Sequence, residues 1–346
     1  MYDSDVSVVT DALKNSNPTI FSSSTINDIL ALTTKGDSKV TFDTATPDAN
    51  GNVTVGSGSE VVFVASSDTQ QTTIVPPKNA PVVIFQGKGG VVTTINDNVT
   101  VPSSSGTTDR VVVGTSGGDK IIVADARNTK IVLGSGDSSV QTGLGVDTVQ
   151  AGLGNSTIVG GSGDYAVVKL GGSATNYQVT SNNGHAVITD MTSHKTTDIT
   201  KIQYVQLDNG KAMVFAKDSI EGAVSMLYHV AFGRDADAGG LNYWFDAARG
   251  GMSLMQIAQS FTRVAEFAPI AAKSDIDFIQ GLYQNTFGRA GEDAGVAYWV
   301  DSLSHGATRA TIINSFAQIA VQNIQHTAEH QEAQVIGSVT IVTGIV

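Results

Sequence analysis

Between Gly114 and Val168 the chain repeats itself every nine residues. Written in nines the segment reads GTSGGDKII, ADARNTKIV, LGSGDSSVQ, TGLGVDTVQ, AGLGNSTIV and GGSGDYAVV, with Val123 as one extra residue after the first. The eighth place is Ile121, Ile131, Val140, Val149, Ile158 and Val167, without exception. A register held over six units excludes a flexible linker and predicts stacked coils. Each nonamer reads as a glycine-rich turn and a short strand. Two nonamers complete a coil, and the eighth side chain fills its narrow interior. Glycine is expected in the turns because they would use positive φ.

The rhythm starts earlier. Short β-branched runs recur at Val61–Val64, Thr73–Val75, Val82–Phe85, Val91–Ile95, Val99–Val101 and Val111–Val113, with Gly, Ser, Asn, Asp and Pro between them. Evenly spaced short strands mean a sandwich, a barrel or a solenoid, and the nonamers select the solenoid. Residues 1–60 lack the rhythm and read as an irregular segment. One helix is predicted there around Ile26–Leu32, after a Ser/Thr cap at Ser22–Thr25. In residues 169–217, two strands flank Asn182-Asn183-Gly184, and a strand over Ile199–Leu207 runs into Asp208-Asn209-Gly210. This reads as an antiparallel cap on an open end where unpaired strands would invite aggregation.

From Ser219 the pattern is helical and repeats again. LYHVAFGRDADAGGLNYW (227–244) aligns with LYQNTFGRAGEDAGVAYW (282–299) at a constant offset of 55. The expected fold is therefore a multidomain β + α chain. A parallel β-solenoid (61–168) with a β-roll (114–168) leads into an antiparallel β cap (169–217). An all-α two-repeat domain (219–330) follows, then a mildly apolar tail (331–346).

Asp and Glu outnumber Lys and Arg 32 to 20, a net charge of −12. That excess argues against nucleic acid or an anionic membrane as partner and suits a protein that gathers cations. Cysteine is absent, so disulfides and thiolate metal sites are excluded. The first ten residues lack the basic and apolar regions of a secretory signal, and no apolar run approaches membrane-spanning length.

The nonamers resemble the repeats-in-toxin β-roll family. That resemblance implies Ca²⁺ held by the sixth-position Asp, helped by carbonyls of the glycine turns. The sixth place is Asp119, Thr129, Ser138, Asp147, Ser156 and Tyr165, so only Asp119 and Asp147 match. Asp137 and Asp164 stand one place early. Pairing alternate nonamers would bring Asp119 near Asp137 and Asp147 near Asp164, beside Gly117, Gly145 and Gly163. One or two Ca²⁺ ions are expected rather than a full ladder. The Thr, Ser and Asn replacements can form uncharged hydrogen-bonded ladders instead.

Residues 219–322 resemble the helical repeat called domain of unknown function 4214. Its L-Y-x-x-x-F-G-R…G-x-x-Y-W signature stands here twice. Phe232, Phe287, Trp244 and Trp299 are expected in the core, and Arg234 and Arg289 in ion pairs or on loop carbonyls. Asp235, Asp237 and Asp246 have the spacing of a helical Ca²⁺ loop, but helix capping and dipole pairing explain them equally well. His326-Thr-Ala-Glu329-His330 matches an inverted zinc-protease motif, which needs a third ligand well downstream and reads better as a solvated helix.

No Ser/His/Asp signature, phosphate loop or paired-carboxylate cleft stands out, so no enzyme is expected. The resemblance implies one-step (type I) export. A secreted structural protein that self-assembles with Ca²⁺ into a surface layer, filament or matrix is the leading expectation. The alternatives are a monomeric Ca²⁺-dependent adhesin that binds cell-surface polysaccharide, and a secreted polysaccharide-degrading enzyme. Neither nucleic-acid binding nor membrane insertion is expected.

Overall fold

The computed structural model describes residues 2–33, 39–103, 106–163, 165–182, 185–216, 218–322, 334–336 and 339–343. The chain forms two compact units, 1–171 with 185–203 and 172–184 with 204–346. The segment expected as one cap, 169–217, thus contributes to both.

In the first unit the chain passes back and forth between two ladders of strands. One ladder runs β1 (Tyr2–Asp5), β2 (Lys39–Ala45), β3 (Val61–Ala65), β5 (Val82–Gln86), β7 (Arg110–Val113), β9 (Thr129–Val132), β11 (Asp147–Gln150) and β13 (Ala166–Lys169). The other runs β4 (Thr72–Ile74), β6 (Val91–Ile95), β8 (Lys120–Val123), β10 (Ser138–Gln141), β12 (Ser156–Val159), β16 (Thr196–Thr200) and β15 (His185–Asp190). Pairing is parallel except at the ends, β1 on β2 and β15 on β16.

One row of side chains on each ladder points inward. On the first it is Val62, Val83, Val112, Ile131, Val149 and Val168. On the second it is Ile74, Thr93, Ile121, Val140, Ile158 and Ile199. All are at most 2% exposed, and each buried Val or Ile contributes about 1.5–3 kcal/mol. The eighth-position residues take these places, with one correction. Val168, not Val167, stands beside Val149, and Val167 pairs with Thr148 in an outward row. The reason is the length of chain between successive strands of the ladder. Ile131 to Val149 spans 18 residues, but Val149 to Val168 spans 19, so the side chains after the longer turn change face.

The role of the turn glycines also differs from expectation. No described glycine between Gly114 and Gly171 has positive φ. What these positions lack is room. A Cβ at Gly134, Gly152 or Gly161 would collide with the carbonyl of Thr115, Gly134 or Gly143 in the coil below. Glycine is there for close backbone approach between layers.

The described part of residues 1–60, expected to be irregular, carries two helices and two strands. Helices α1 (Val6–Ser16) and α2 (Ser23–Thr33) share a core with the outward side chains of the first ladder: Val61, Val82, Val111, Ile84, Val113 and Val132. These outward positions are apolar and need a cover. The predicted helix at 26–32 is α2, capped by Ser22, whose Oγ accepts the Thr25 N–H at 3.2 Å. Further along, the outward rows turn polar. Lys130 reaches Asp28 of α2 at 2.6 Å.

The second unit holds β14 (Tyr177–Asn182) and an antiparallel pair, β17 (Tyr204–Gln206) and β18 (Ala212–Ala216). Strand β20 (Val339–Thr343) lies parallel to β18, and β19 (Gln334–Ile336) folds back on β20. Part of the expected tail is thus in a sheet. The single strand expected over Ile199–Leu207 is broken by Lys201, whose φ is +55°. Asn183 and Gly184 of the expected hairpin turn lie outside the described residues.

The helices of this unit are α3 (Ser219–Phe232), α4 (Ala238–Arg249), α5 (Leu254–Phe261), the single turn α6 (Ala268–Ala271), α7 (Asp275–Phe287), α8 (Asp293–Ser304) and α9 (Arg309–Gln322). The offset of 55 superposes α3 on α7, α4 on α8 and α5 on α9. Helices α3 and α7 both end at a left-handed glycine, Gly233 (φ +69°) and Gly288 (φ +66°). No described helix is long and apolar enough to cross a membrane. His326, Glu329 and His330 lie outside the described residues.

Candidate functional site

The sixth-position acids sit in the turns with their oxygens engaged. Asp147 is fully buried. One of its oxygens accepts the Thr129 N–H of the neighbouring coil at 2.8 Å, the other the Gly143 N–H of its own turn at 2.6 Å. Asp119, 2% exposed, repeats the pattern. It accepts the Val91 N–H from the preceding coil, and both the N–H and the hydroxyl of Thr115. Where the place holds Ser138, the hydroxyl accepts the Asp119 N–H at 3.1 Å. At Asp119, Ser138 and Asp147 the sixth position thus ties one strand layer to its neighbour, by carboxylate or by hydroxyl.

Burial pushes the Asp119 carboxyl up and Asp147 up to about 6, against the pull of the amides they accept. An acid whose folded pKa exceeds its unfolded one stabilises the fold fully below the unfolded value. That contribution is lost as pH rises through the folded value. For Asp147 the window runs from 3.8 to about 6. The unfolding free energy of wild type minus that of Asp147→Asn should therefore rise as pH falls from 7 to 4, by about 2–3 kcal/mol. Urea denaturation at each pH reads this difference, and a constant difference would contradict the burial assigned to Asp147.

Of the predicted carboxylate pairs, Asp119 and Asp137 take separate partners. Asp119 registers with Ser138, which leaves Asp137 over Gly118. Asp137 is exposed and accepts the Asn155 N–H at 2.8 Å and side-chain amide at 3.1 Å, which lowers its pKa. Asn155 in turn accepts the Thr196 N–H, so this position builds its own polar ladder. Asp147 registers with Ala166 because of the 19-residue coil, and Asp164 lies outside the described residues. Gly117, Gly145 and Gly163 are stacking positions, each facing the backbone of an adjacent coil.

A buried ionic cluster escaped the sequence reading. Arg110, 1% exposed, donates to both oxygens of Asp125 (2.8 and 2.9 Å), to Asp97 (3.0 Å) and to the Thr129 hydroxyl (2.8 Å). Arg127 completes it with an ion pair to Asp97 and a bond to the Asp109 carbonyl. Burial pushes the Asp125 carboxyl up, but Arg110 with the Asp97 and Arg127 amides brings it net below the usual range. The available signal was Arg110 heading the run RVVV, a charge at the start of an otherwise apolar strand.

In the helical unit the three acids of the proposed loop go separate ways. Asp237 caps α4 and accepts the Gly240 N–H at 2.8 Å. Asp235 lies 3.4 Å from His229. Asp246 stands nine residues into α4, roughly 13 Å along its axis from Asp237, beside Arg249. Among the described residues no group of three or more His, Cys, Asp or Glu could hold a metal ion.

The recurring aromatics do converge. Trp244 packs on Phe261 at 5.4 Å between centroids, and Trp299 on Phe316 at 5.3 Å. Tyr228 and Tyr283 meet the same phenylalanines edge-on at 4.7 and 5.1 Å. Gly240 leaves room for the Tyr228 hydroxyl, and Gly295 does the same for Tyr283. Arg234 pairs with Glu266 and bonds the Asp235 carbonyl. Arg289 pairs with Glu292 and bonds the Ala290 carbonyl. Residues 217–271 and 258–321 match the domain of unknown function DUF4214. The DUF4214 match covers the helical repeats and leaves the nonamers outside it. No curated protein and no solved structure matches the chain.

Proposed function

We propose that the chain is a secreted structural protein that assembles with copies of itself into a surface layer, filament or matrix. In this reading the two ladders are the sides of a repeats-in-toxin-like β-solenoid. The observation that carries it is the outer face of the second ladder. Val92, Lys120, Ser139, Thr157 and Asp198 form one outward row, and Thr94, Ile122, Gln141, Val159 and Thr200 the next. All ten are at least partly exposed. They form a regular face of β-branched and hydroxyl side chains at strand spacing, with Lys120 and Asp198 in one row and Ser139 and Thr157 between them. Turning a second copy end for end over this face would set Lys120 against Asp198 twice, an isologous contact.

Ca²⁺ is the ion the resemblance implies, and the described acids do not make its ligand set. Ca²⁺ takes six to eight oxygens. Here Asp119 and Asp147 are buried singly on N–H donors, and Asp137 bonds Asn155. The assembly proposed is therefore not routed through the ion. Export by a one-step system rests on the resemblance alone.

Electron microscopy and light scattering of purified protein, with Ca²⁺ and with chelator, test this reading. Ordered polymers are expected under both conditions. Val159→Lys should cut polymer yield at least tenfold while the circular dichroism stays that of wild type. A strictly monomeric protein under both conditions overturns the proposal.

A further inference from the structure

Each helical repeat presents one aromatic ring to solvent. Tyr243 and Tyr298 are both 63% exposed, in a chain where only 6% of residues are aromatic. The offset of 55 relates them, so the exposure occurs twice at the same place in the fold. Each ring is held edge-to-face by the next residue. Tyr243 lies 4.8 Å from Trp244 at 81°, and Tyr298 lies 4.9 Å from Trp299 at 75°. The tryptophans are anchored in turn on Phe261 and Phe316.

A carboxylate accompanies each pair at the same offset. Asp246 and Asp301 stand three residues after the tyrosines, on the same helix face. Their side chains are 59% and 71% exposed. Asp246 is steadied by Arg249 and Asn242 at 3.2 Å, and Asp301 lies 3.4 Å from His305.

We propose that these are two equivalent glycan subsites, Tyr243–Trp244–Asp246 and Tyr298–Trp299–Asp301, which bind a neutral polysaccharide of pyranose units. The polarised C–H face of a sugar ring suits the negative face of tyrosine. Neighbouring hydroxyls donate to the carboxylate in charge-assisted bonds. The scale of the feature favours this occupant over a protein. One ring with a polar rim matches a single sugar, whereas a stable protein contact buries about 800 Å² per partner around an apolar core. The paired acids and the net charge of −12 disfavour an anionic chain. Two copies suit a polymer that repeats its own unit, because linked sites gain avidity without new contacts. This proposal stands apart from self-assembly, and either can fail without the other.

Affinity electrophoresis of the full chain in native gels tests it, with hydroxyethyl cellulose, laminarin and mannan as neutral probes and polygalacturonate as the anionic one. Retardation is expected with at least one neutral probe. Tyr243→Ala or Tyr298→Ala alone should weaken it at least tenfold, and the double variant should run as in a plain gel. Asp246→Asn with Asp301→Asn should weaken retardation with the aromatic pairs intact. The proposal is overturned if no neutral probe retards the protein, or if polygalacturonate alone does. It also falls if the double tyrosine variant, folded by circular dichroism, is retarded like wild type. A double variant that changes only the molecular mass by light scattering would assign the rings to self-contact instead, and would equally sink it.

Discussion

Gly152→Ala should lower the unfolding temperature of the β-rich unit by roughly 6–12 °C, from about 3 kcal/mol of overpacking at 2–4 °C per kcal/mol for a unit this size. The added Cβ would meet the carbonyl of Gly134, with the Gly134 carbonyl carbon 2.8 Å and the Leu133 oxygen 2.9 Å away. All three atoms are backbone, so no rotamer change can make room. Coils on both sides fix the turn, and moving it would strip the parallel bonds that β11 makes to β9 and β13. Gly281→Ala is the control. That glycine lies inside α7, and the nearest atom to its Cβ is the Lys273 Nζ at 3.9 Å. Alanine there is expected to stabilise by about 0.5–1 kcal/mol, since it removes only the entropic cost of glycine in a helix. Calorimetry of both variants reads the contrast. Equal melting temperatures would mean that the turn glycines serve conformational freedom and not layer spacing.

The interior of the first unit was legible because it is periodic. Ile121, Val140 and Ile158 each hold the eighth place of a nonamer once the extra Val123 is set aside, and they stand side by side in the second ladder. The slip to Val168 was not legible, because one residue added to a turn changes the face of every side chain after it and leaves the nine-residue text almost unaltered. The N-terminal cover escaped for a related reason. Val61, Val82 and Val111 are outward neighbours of an inward row, so a fully apolar strand did not disclose which face needed a lid. The helical repeats were legible residue by residue, since Tyr228, Phe232, Gly240 and Trp244 recur together and pack together. The acids misled. A motif specifies where Asp119 and Asp147 stand along a turn. It does not say whether the space around them holds an ion or the amides of the next coil.

Arg110→Met should cost about 3–5 kcal/mol at neutral pH, the loss expected when one partner of a buried ion pair is removed. Methionine nearly fills the volume, so the deficit is electrostatic rather than a cavity. Asp125 keeps only the Asp97 and Arg127 amides, and Asp97 keeps Arg127. The Thr129 hydroxyl loses a donor at 2.8 Å. With the guanidinium gone, burial, the largest influence on Asp125, is opposed only by those two amides, and its pKa should rise above the ordinary carboxylate range. In wild type the depressed Asp125 contributes stability above its unfolded pKa, and that stability is lost as pH falls through the folded one. The variant therefore loses most at pH 7, and the gap closes below about pH 4, where Asp125 carries its proton in the variant. Arg110→Met with Asp125→Asn removes both charges and should recover part of the loss, which makes the coupling measurable as a double-mutant cycle. Urea unfolding gives all three energies. A deficit under about 1 kcal/mol, typical of an exposed pair, would mean that water reaches Arg110 and that this end of the coil is not closed.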